Sequence, residues 1–235
     1  MLAYSFPNSF STETAVEGLS ICLAKGRMLY PSVEFLRSKG VEIFFVDEDD
    51  RRLLFEVPFK QWRARVILAK PFDVPTYVKY GAADVGVVGK DVLMEEKSEF
   101  GGGLYELEDL GFGEGRLVLA APEDMIGRGL TWRVPGVRVA TKFPNIARAF
   151  FAEEGVAAEI IKVQGATELA PLVGLSDVIL DIVSTGRTLK ENNLVEMATL
   201  ARISARLIAN APAMNLKGEI IRTLIDGLAH RCGES

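Results

Sequence analysis

Short apolar runs alternate along the chain with longer stretches in which apolar residues recur at helical spacing. The apolar runs predict strands over 19–24, 41–46, 53–57, 66–69, 84–88, 116–121, 137–141, 158–163, 177–183 and 203–209. The amphipathic stretches predict helices over about 30–39, 73–81, 90–96, 145–154, 168–173 and 217–229, with Asp73 as the N-cap of the second. Strands that alternate with helices are typical of α/β proteins.

The alternation becomes irregular over 108–115 and then resumes, without an internal repeat or a low-complexity segment. Two α/β lobes of about 100 residues each, with a cleft between them, are the simplest architecture for this pattern. The stretch 1–18 is polar and lacks the features of a signal peptide, and it is predicted to be a flexible tail. No apolar run reaches the roughly 18–20 residues of a membrane span, so we expect a soluble, cytoplasmic protein.

Charge limits the ligands that this chain could bind. The 235 residues carry a net charge of −5, and 25% of them are charged. No global basic field is therefore available for nucleic acid or for acidic membranes. An anionic ligand would have to be met by a local cluster of cations, for which the sequence offers three pairs: Lys25 with Arg27, Arg51 with Arg52, and Arg63 with Arg65.

Cysteine and histidine are too scarce for several kinds of catalytic centre. Cys22 and Cys232 match no metal-ligand spacing and are predicted to be reduced thiols. His230 is the one histidine, which excludes serine and cysteine triads and paired-histidine zinc sites. No metal site built entirely from protein ligands is predicted, and the chemistry must proceed without a histidine base.

The clearest chemical pattern follows the predicted strand 177–183. This strand ends in hydroxyl side chains around a glycine: Ser184, Thr185, Gly186 and Thr188. Hydroxyls and free backbone N–H groups at the start of a helix suit a phosphate monoester. Asp181, just before the loop, could accept hydrogen bonds from sugar hydroxyls or hold Mg²⁺ beside them. The same pattern also fits a capped strand–helix turn without a ligand.

Several segments, in order along the chain, resemble conserved blocks of the ATP phosphoribosyltransferase family. They are 23–28 (LAKGRM), 73–78 (DVPTYV), 84–91 (DVGVVGKD), 140–145 (ATKFPN), 168–171 (ELAP), 181–189 (DIVSTGRTL) and 204–210 (SARLIAN). The match runs from about residue 19 to the C-terminus. The segments 168–171 and 181–189 resemble the family's loop for phosphoribosyl pyrophosphate, and 23–28 resembles its N-terminal Lys-Gly-Arg turn.

The resemblance implies a fold and a division into lobes. The fold would be two-lobed, like a type II periplasmic binding protein, with the active site in the cleft. The first lobe, on the ATP side, would comprise 19–108 and 211–235. The second lobe, over 109–210, would carry the phosphoribosyl pyrophosphate loop.

The resemblance also assigns roles to residues. Arg27 and Arg51 would be catalytic, stabilising charge on the ATP phosphates and the departing pyrophosphate. The other implied substrate-binding residues are Lys25, Asp91, Glu168, Asp181, Ser184, Thr185, Gly186, Arg187 and Thr188. Without the family, Arg51 and Lys25 would be interpreted as solvated surface charges, and Glu168 as a structural residue.

The implied reaction transfers a 5-phosphoribosyl group from phosphoribosyl pyrophosphate to N1 of ATP, with release of pyrophosphate, as the first step of histidine biosynthesis. Adenine N1 has a free lone pair at neutral pH, so no general base is required. Mg²⁺ would enter with the substrates. The length resembles the family's short form, which implies a homodimer that assembles with a regulatory subunit similar to histidyl-tRNA synthetase.

Three positions depart from the family pattern, and the sequence leaves two alternative functions open. Gly115 stands where a cysteine is frequent, Lys70 where an arginine is common, and Phe143 where a tyrosine is frequent. One alternative is a non-enzymatic, two-lobed module that binds a small anion. Another is a different class of phosphoribosyltransferase, which Leu180-Asp181 disfavours because only one acid precedes the loop.

Overall fold

The computed structural model describes residues 18–43, 52–96, 103–127 and 131–226. Residues 1–17 of the predicted tail over 1–18, the end of the predicted strand 41–46 and the end of the C-terminal helix lie outside these ranges, and Gly18 is the first residue of β1. Arg51, His230 and Cys232 also lie outside them, so the prediction for Arg51 has no structural counterpart here.

The described strands are β1 Gly18–Ala24, β2 Leu54–Phe59, β3 Trp62–Ala69, β4 Val85–Gly89, β5 Leu104–Asp109, β6 Gly115–Pro122, β7 Val137–Thr141, β8 Ala158–Lys162, β9 Val178–Val183, β10 Leu194–Ile203 and β11 Ala205–Asn210. The helices are α1 Leu29–Ser38, α2 Val74–Lys79, α3 Lys90–Glu95, α4 Glu123–Gly127, α5 Pro144–Glu153, α6 Leu169–Leu172, α7 Arg187–Glu191, α8 Ala211–Leu216 and α9 Gly218–Ile225, with a 3-10 turn over Pro71–Asp73. Two separate sheets result, and the prediction of an α/β protein is confirmed.

The first sheet has the strand order β2-β3-β1-β4-β11-β5 among the described residues. Its centre is β1, which pairs in parallel with β3 and β4, so that Leu23 lies opposite Leu68 and Val87. Burial on both faces explains why β1 is a continuous apolar run. Helix α1 packs its buried residues Leu29, Val33 and Leu36 into the same core.

The second sheet has the order β10-β6-β9-β7-β8 in the part of the chain that the structure describes. β7 pairs in parallel with β8 and β9, whereas β6 is antiparallel to both β9 and β10. Alternate residues of β6 enter two different cores: Leu117 and Leu119 join one, and Val118 and Ala120 join the other. Apolar residues therefore cover both faces of this sheet.

Four of the described elements were not predicted, namely β5, β10, α4 and α8. Both strands lie at sheet edges and are half-exposed, and β5 carries Glu106, Glu108 and Asp109. Their sequences therefore lack the apolar pattern of a buried strand. Helix α8 is instead defined by its cap, because the Oδ1 of Asn210 accepts a hydrogen bond from the N–H of Ala213 at 2.8 Å.

Two predictions about structure were wrong, and a third, Asp73 as the cap of α2, was right about the position but not about the side chain. The predicted strand over 41–46 is reduced, in its described part, to one bridge between Val41 and Phe59. Asp73 does not cap α2 with its side chain, because the 3-10 turn runs directly into the helix and Val74 donates its N–H to the carbonyl of Pro71. Strand β11 lies in the first sheet rather than with the second lobe, a pairing between distant strands that local patterns do not encode.

The chain crosses between the sheets twice, after β5 and before β11, and the two crossings are hydrogen-bonded together. Leu110 donates its N–H to Ala205 O at 2.9 Å, and Ala205 donates its own to Phe112 O at 2.8 Å. The Asp109 carboxylate accepts hydrogen bonds from Gly111 N–H and Ser204 Oγ, and it is paired with Arg206. Burial raises the pKa of Asp109, but these donors outweigh it and hold that pKa below its usual value.

Candidate functional site

The turn after β1 directs a cation toward the second sheet. Gly26 has φ of +84°, a left-handed conformation that favours glycine, and its carbonyl accepts the N–H of Leu29 at 2.9 Å as α1 begins. Arg27 is exposed beside it. Its Nη1 donates to Ser184 Oγ at 3.2 Å. A residue from each sheet therefore meets at this contact.

The loop after β9 presents the predicted hydroxyl groups to solvent. Ser184, Thr185 and Thr188 are all exposed. Gly186 has φ of +77° and immediately precedes α7, and the N–H of Arg187 donates to Thr185 Oγ1 at 3.4 Å. Uncharged donors thus surround the start of a helix, an arrangement suited to a phosphate group.

Asp181 lies on β9 just before the loop, with its side chain largely buried. Its Oδ1 accepts the N–H of Ile182 at 2.8 Å, and its Oδ2 lies 3.5 Å from Lys142 Nζ. Lys142 was not predicted as a site residue. It lies within the family-like segment 140–145, and the positive charge of Lys142 could have identified it as a site residue.

Asp91 is a second buried carboxylate near the same place, in the first turn of α3. Its Oδ1 packs so closely over Gly89 that a Cβ there would lie 2.1 Å away, which explains the glycine. Burial raises the pKa of Asp91, and the charge of Asp181 adds to the increase. The N–H groups of Asp91 and Val92 and the charge of Arg27 oppose it.

The structure therefore groups Arg27, Asp91, Asp181 and Ser184, with Lys142 in addition. Lys25 shares the turn with Arg27 and is half-buried. Among the described residues, neither Lys25 nor Glu168 has a side-chain hydrogen bond to this group. Glu168 precedes α6 at the N-cap position.

The side chain of Arg187 points away from the group. It is 82% exposed, and its Nε donates to Glu191 Oε1 at 2.7 Å on the same helix. Any contribution of Arg187 to anion binding in this conformation would come from its backbone N–H.

The three departures from the family pattern have different surroundings. A Cβ at Gly115 would lie 3.0 Å from Ile182 Cγ2 and 3.8 Å from Ser184 Oγ, so a side chain here would face the loop. Phe143 is buried, with its ring centroid 6.3 Å from that of Phe72, which joins the two sheets. Lys70 is exposed at the start of the 3-10 turn.

Across the described ranges, no helix is both long and apolar enough to span a bilayer.

The comparisons with known proteins agree on one family. The family model described as ATP phosphoribosyltransferase matches residues 70–230. The ATP phosphoribosyltransferase of Desulfitobacterium hafniense is 44% identical over 223 residues, covering 92% of this chain and 97% of that protein. The chain is therefore similar to this enzyme over nearly its whole length.

Solved structures give the same result for the fold. A chain of the ATP phosphoribosyl transferase (HisG:HisZ) complex from Thermotoga maritima is 34% identical, with a TM-score of 0.71 over 88% of this chain and 96% of that one. The periplasmic aliphatic sulphonate binding protein SsuA of Escherichia coli matches with a TM-score of 0.59 at 14% identity, over 88% and 71% of the two chains. The second likeness concerns the fold alone. It confirms the predicted periplasmic-binding-protein-like class.

Proposed function

The chain belongs to the ATP phosphoribosyltransferase family, and we propose that the residues grouped at the ends of β1 and β9 carry out its reaction. The enzyme transfers a phosphoribosyl group from phosphoribosyl pyrophosphate to N1 of ATP and releases pyrophosphate, a step of histidine biosynthesis. A non-enzymatic anion-binding module is not favoured, because the binding-protein likeness is limited to the fold.

The observation that carries the assignment of the site is the hydrogen bond between Arg27 and Ser184. It joins a turn of the first sheet to a loop of the second, which supports a site in a cleft between two lobes. Substrates held from both sides of a cleft can be aligned for reaction. Such alignment lowers a bimolecular barrier by about 7–11 kcal/mol.

The loop 184–188 binds the 5-phosphate of phosphoribosyl pyrophosphate. Its exposed hydroxyls and the N–H groups around Gly186 donate to the phosphate oxygens. Asp181, directly before the loop, accepts hydrogen bonds from the ribose hydroxyls, and Glu168 lies on the same side. Lys142 balances the charge of Asp181 until the substrate enters.

Arg27 stabilises the negative charge that develops on the departing pyrophosphate, and Arg51 has the same role in this proposal. One well-placed donor to such charge is worth roughly 2.7–4 kcal/mol. Asp91 orients Arg27 by its charge, and Lys25 adds a cation at the turn. N1 of adenine attacks the anomeric carbon with its own lone pair, so no side chain has to remove a proton.

Mg²⁺ is expected to accompany the pyrophosphate. Within the described ranges, no group of three or more His, Cys, Asp or Glu side chains is arranged around a common metal position. Mg²⁺ usually binds through one or two carboxylates and the substrate phosphates, and Asp181 and Asp91 supply two carboxylates in the cleft. When bound, the ion would neutralise charge on the pyrophosphate oxygens.

A regulatory partner is part of the proposal. The similar Thermotoga maritima chain was solved as a HisG:HisZ complex. We therefore propose that this chain forms a homodimer that assembles with a HisZ-like subunit, similar to histidyl-tRNA synthetase, and that its activity alone is weak. We also propose that the enzyme is located in the cytoplasm.

The test mixes the purified chain with ATP, phosphoribosyl pyrophosphate, Mg²⁺ and a pyrophosphatase, and follows ultraviolet absorbance as N1 is alkylated. We expect a rise that requires both substrates and increases when the regulatory subunit is added. No rise in the presence of that subunit, with only one of the two substrates bound, would overturn the proposal in favour of a binding module.

A further inference from the structure

A buried carboxylate joins the helices of the two sheets at a second place, away from Arg27. Glu95 lies in the last turn of α3 and is 4% exposed. Both of its carboxylate oxygens lie 3.0 Å from the backbone N of Asn145, and Oε2 also lies 3.0 Å from that of Ile146. The Nδ2 of Asn145 in turn donates to the Glu95 carbonyl at 3.0 Å.

The N–H groups that Glu95 accepts are free donors in the first turn of α5. A helix normally satisfies such groups with a nearby Ser, Thr, Asn or Asp. Here the N-cap position holds Phe143, which has no side-chain acceptor, and Pro144 follows it. The cap is supplied instead by a residue 50 positions earlier, on a helix of the other sheet. Stabilising α5 alone would not require so distant an acceptor.

The two helices that Glu95 joins both carry site residues. Asp91 lies one turn before Glu95 on α3, and residues four apart lie on the same face of a helix. Lys142, paired with Asp181, lies just before the start of α5. The contact at Glu95 therefore fixes the distance between the half of the site that holds Asp91 and the half that holds Lys142 and Asp181.

We propose that Glu95 is a positioning residue that holds the two halves of the active site in the closed arrangement required for transfer. This inference rests on the proposed function, because the halves are defined by the residues assigned there. Glu95 does not touch the reacting atoms. It acts through the charge-assisted hydrogen bonds that keep α5 against α3.

The variant Glu95→Gln keeps the size of the side chain but turns one acceptor oxygen into a donor facing N–H groups. The matched control is Glu154→Gln. Glu154 follows the last residue of α5, at the end opposite to the one that Glu95 caps. It pairs with Arg133 Nη1 at 2.7 Å, within the same half of the molecule. We expect Glu95→Gln to lower kcat about 10- to 100-fold, as small misplacements of substrate do. The control should stay within about twofold of wild type, because the pair of Glu154 with Arg133 is partly exposed to solvent and such ion pairs contribute little.

A second measurement separates positioning from simple stabilisation of α5. Small-angle X-ray scattering should give the free wild-type protein nearly the same radius of gyration with and without both substrates. Glu95→Gln should be larger when free and should contract when both substrates bind. If Glu95→Gln does not fold, Asn145→Ala should show both effects at a smaller size, because it removes the Nδ2 hydrogen bond to Glu95 together with an exposed one from Arg148 Nη1 within α5.

Two outcomes would overturn the inference. One is activity within twofold of wild type with an unchanged radius of gyration. The other is a lower unfolding temperature and lower activity without any change in the radius of gyration, which would limit Glu95 to capping α5. A wild-type chain that is inactive with its regulatory subunit would instead contradict the proposed function, and the scattering result would still decide whether Glu95 closes the cleft.

Discussion

The turn at 25–28 and the loop at 184–188 have the same backbone design in two different sheets. Each follows a buried strand that has a parallel neighbour, contains a left-handed glycine and leads into a helix. Each also contains an arginine, yet the two arginines behave differently. Arg27 reaches across to the other sheet, whereas Arg187 turns back along its own helix.

The neighbouring residues explain this difference. Arg187 is the first residue of α7, and Glu191 follows four positions later on the same face, which satisfies the guanidinium locally. Four positions after Arg27 the chain has Pro31, whose side chain offers no acceptor. An arginine without a local partner is available for a partner elsewhere. The absence of an i,i+4 acid is therefore as informative as the arginine itself.

The largest expected difference between the two segments is in catalysis. Arg27→Ala should lower kcat about 100- to 1,000-fold, because it removes one donor to the pyrophosphate charge. Arg187→Ala should lower it by less than about fivefold, since its exposed ion pair is worth roughly 0.2–1 kcal/mol. Steady-state kinetics at saturating substrates measures both. Equal losses in the two variants would remove the distinction. The control is Arg63→Ala, an exposed arginine on β3 that lies near Glu56.

Replacing Gly26 or Gly186 with alanine should destabilise the fold by a similar free energy, but the two variants should change different kinetic constants. A Cβ at Gly26 or Gly186 meets no atom closer than 3.9 Å, so the cost of alanine is the left-handed backbone, about 1–2 kcal/mol. Gly186→Ala should raise the KM for phosphoribosyl pyrophosphate about tenfold, and Gly26→Ala should mainly lower kcat. Gly165→Ala, in open space with an ordinary φ, should change neither constant nor the urea midpoint.

Ser184→Ala tests the hydrogen bond that connects the two segments. Loss of one acceptor for Arg27 should raise the KM for phosphoribosyl pyrophosphate about fivefold, which corresponds to about 1 kcal/mol. Ser184→Thr, which keeps the hydroxyl, should restore most of the affinity. In the double variant with Arg27→Ala the two effects should not add, because the residues share one contact. Full additivity would show that they act independently.

The smallest expected effects concern the pH dependence of the free energy of unfolding. Asp91, on the side of the first sheet, and Asp177, on the side of the second, should change it in opposite directions. Burial raises the pKa of Asp91, so the stability of wild type relative to Asp91→Asn should be greatest below about pH 4 and should fall as pH rises through the folded pKa. The hydrogen bond from Arg138 lowers the pKa of Asp177. Relative to Asp177→Asn, wild type should therefore lose stability as pH falls from about 4 through that lowered pKa. Urea unfolding from pH 3 to 7 measures both slopes, and slopes of the same sign would contradict the expectation.

The sequence was sufficient to predict the buried strands and the edge strands β2 and β8, but not the edge strands β5 and β10. β1, β7 and β9 are apolar because neighbours cover them on both sides, and that composition marks them in the sequence. β10 alternates irregularly, since its pairing with β6 is interrupted between Glu196 and Ala198 and again between Thr199 and Ala201. A bulged edge strand loses the period of two on which a prediction depends.

The site shows the same division between local and distant information. The grouping of Arg27 with Ser184 and of Asp91 with Asp181 agrees with residues that the motifs had singled out. Lys142 and Glu95 were missed because each acquires its role from a partner in a distant part of the chain, Asp181 and the start of α5. Nothing in the residues next to Glu95 indicates that it caps a helix 50 residues later.

The position of β11 between β4 and β5 also determines the order in which the protein can be completed on the ribosome. All strands of the second sheet, from β6 to β10, are synthesised before β11. Until residues 205–210 emerge, β4 has one unpaired edge and β5 has no neighbour to join. An unpaired edge is a template for association with other chains. The nascent first sheet is thus exposed to aggregation throughout synthesis of the second, and a chaperone that shields β4 would act during that interval.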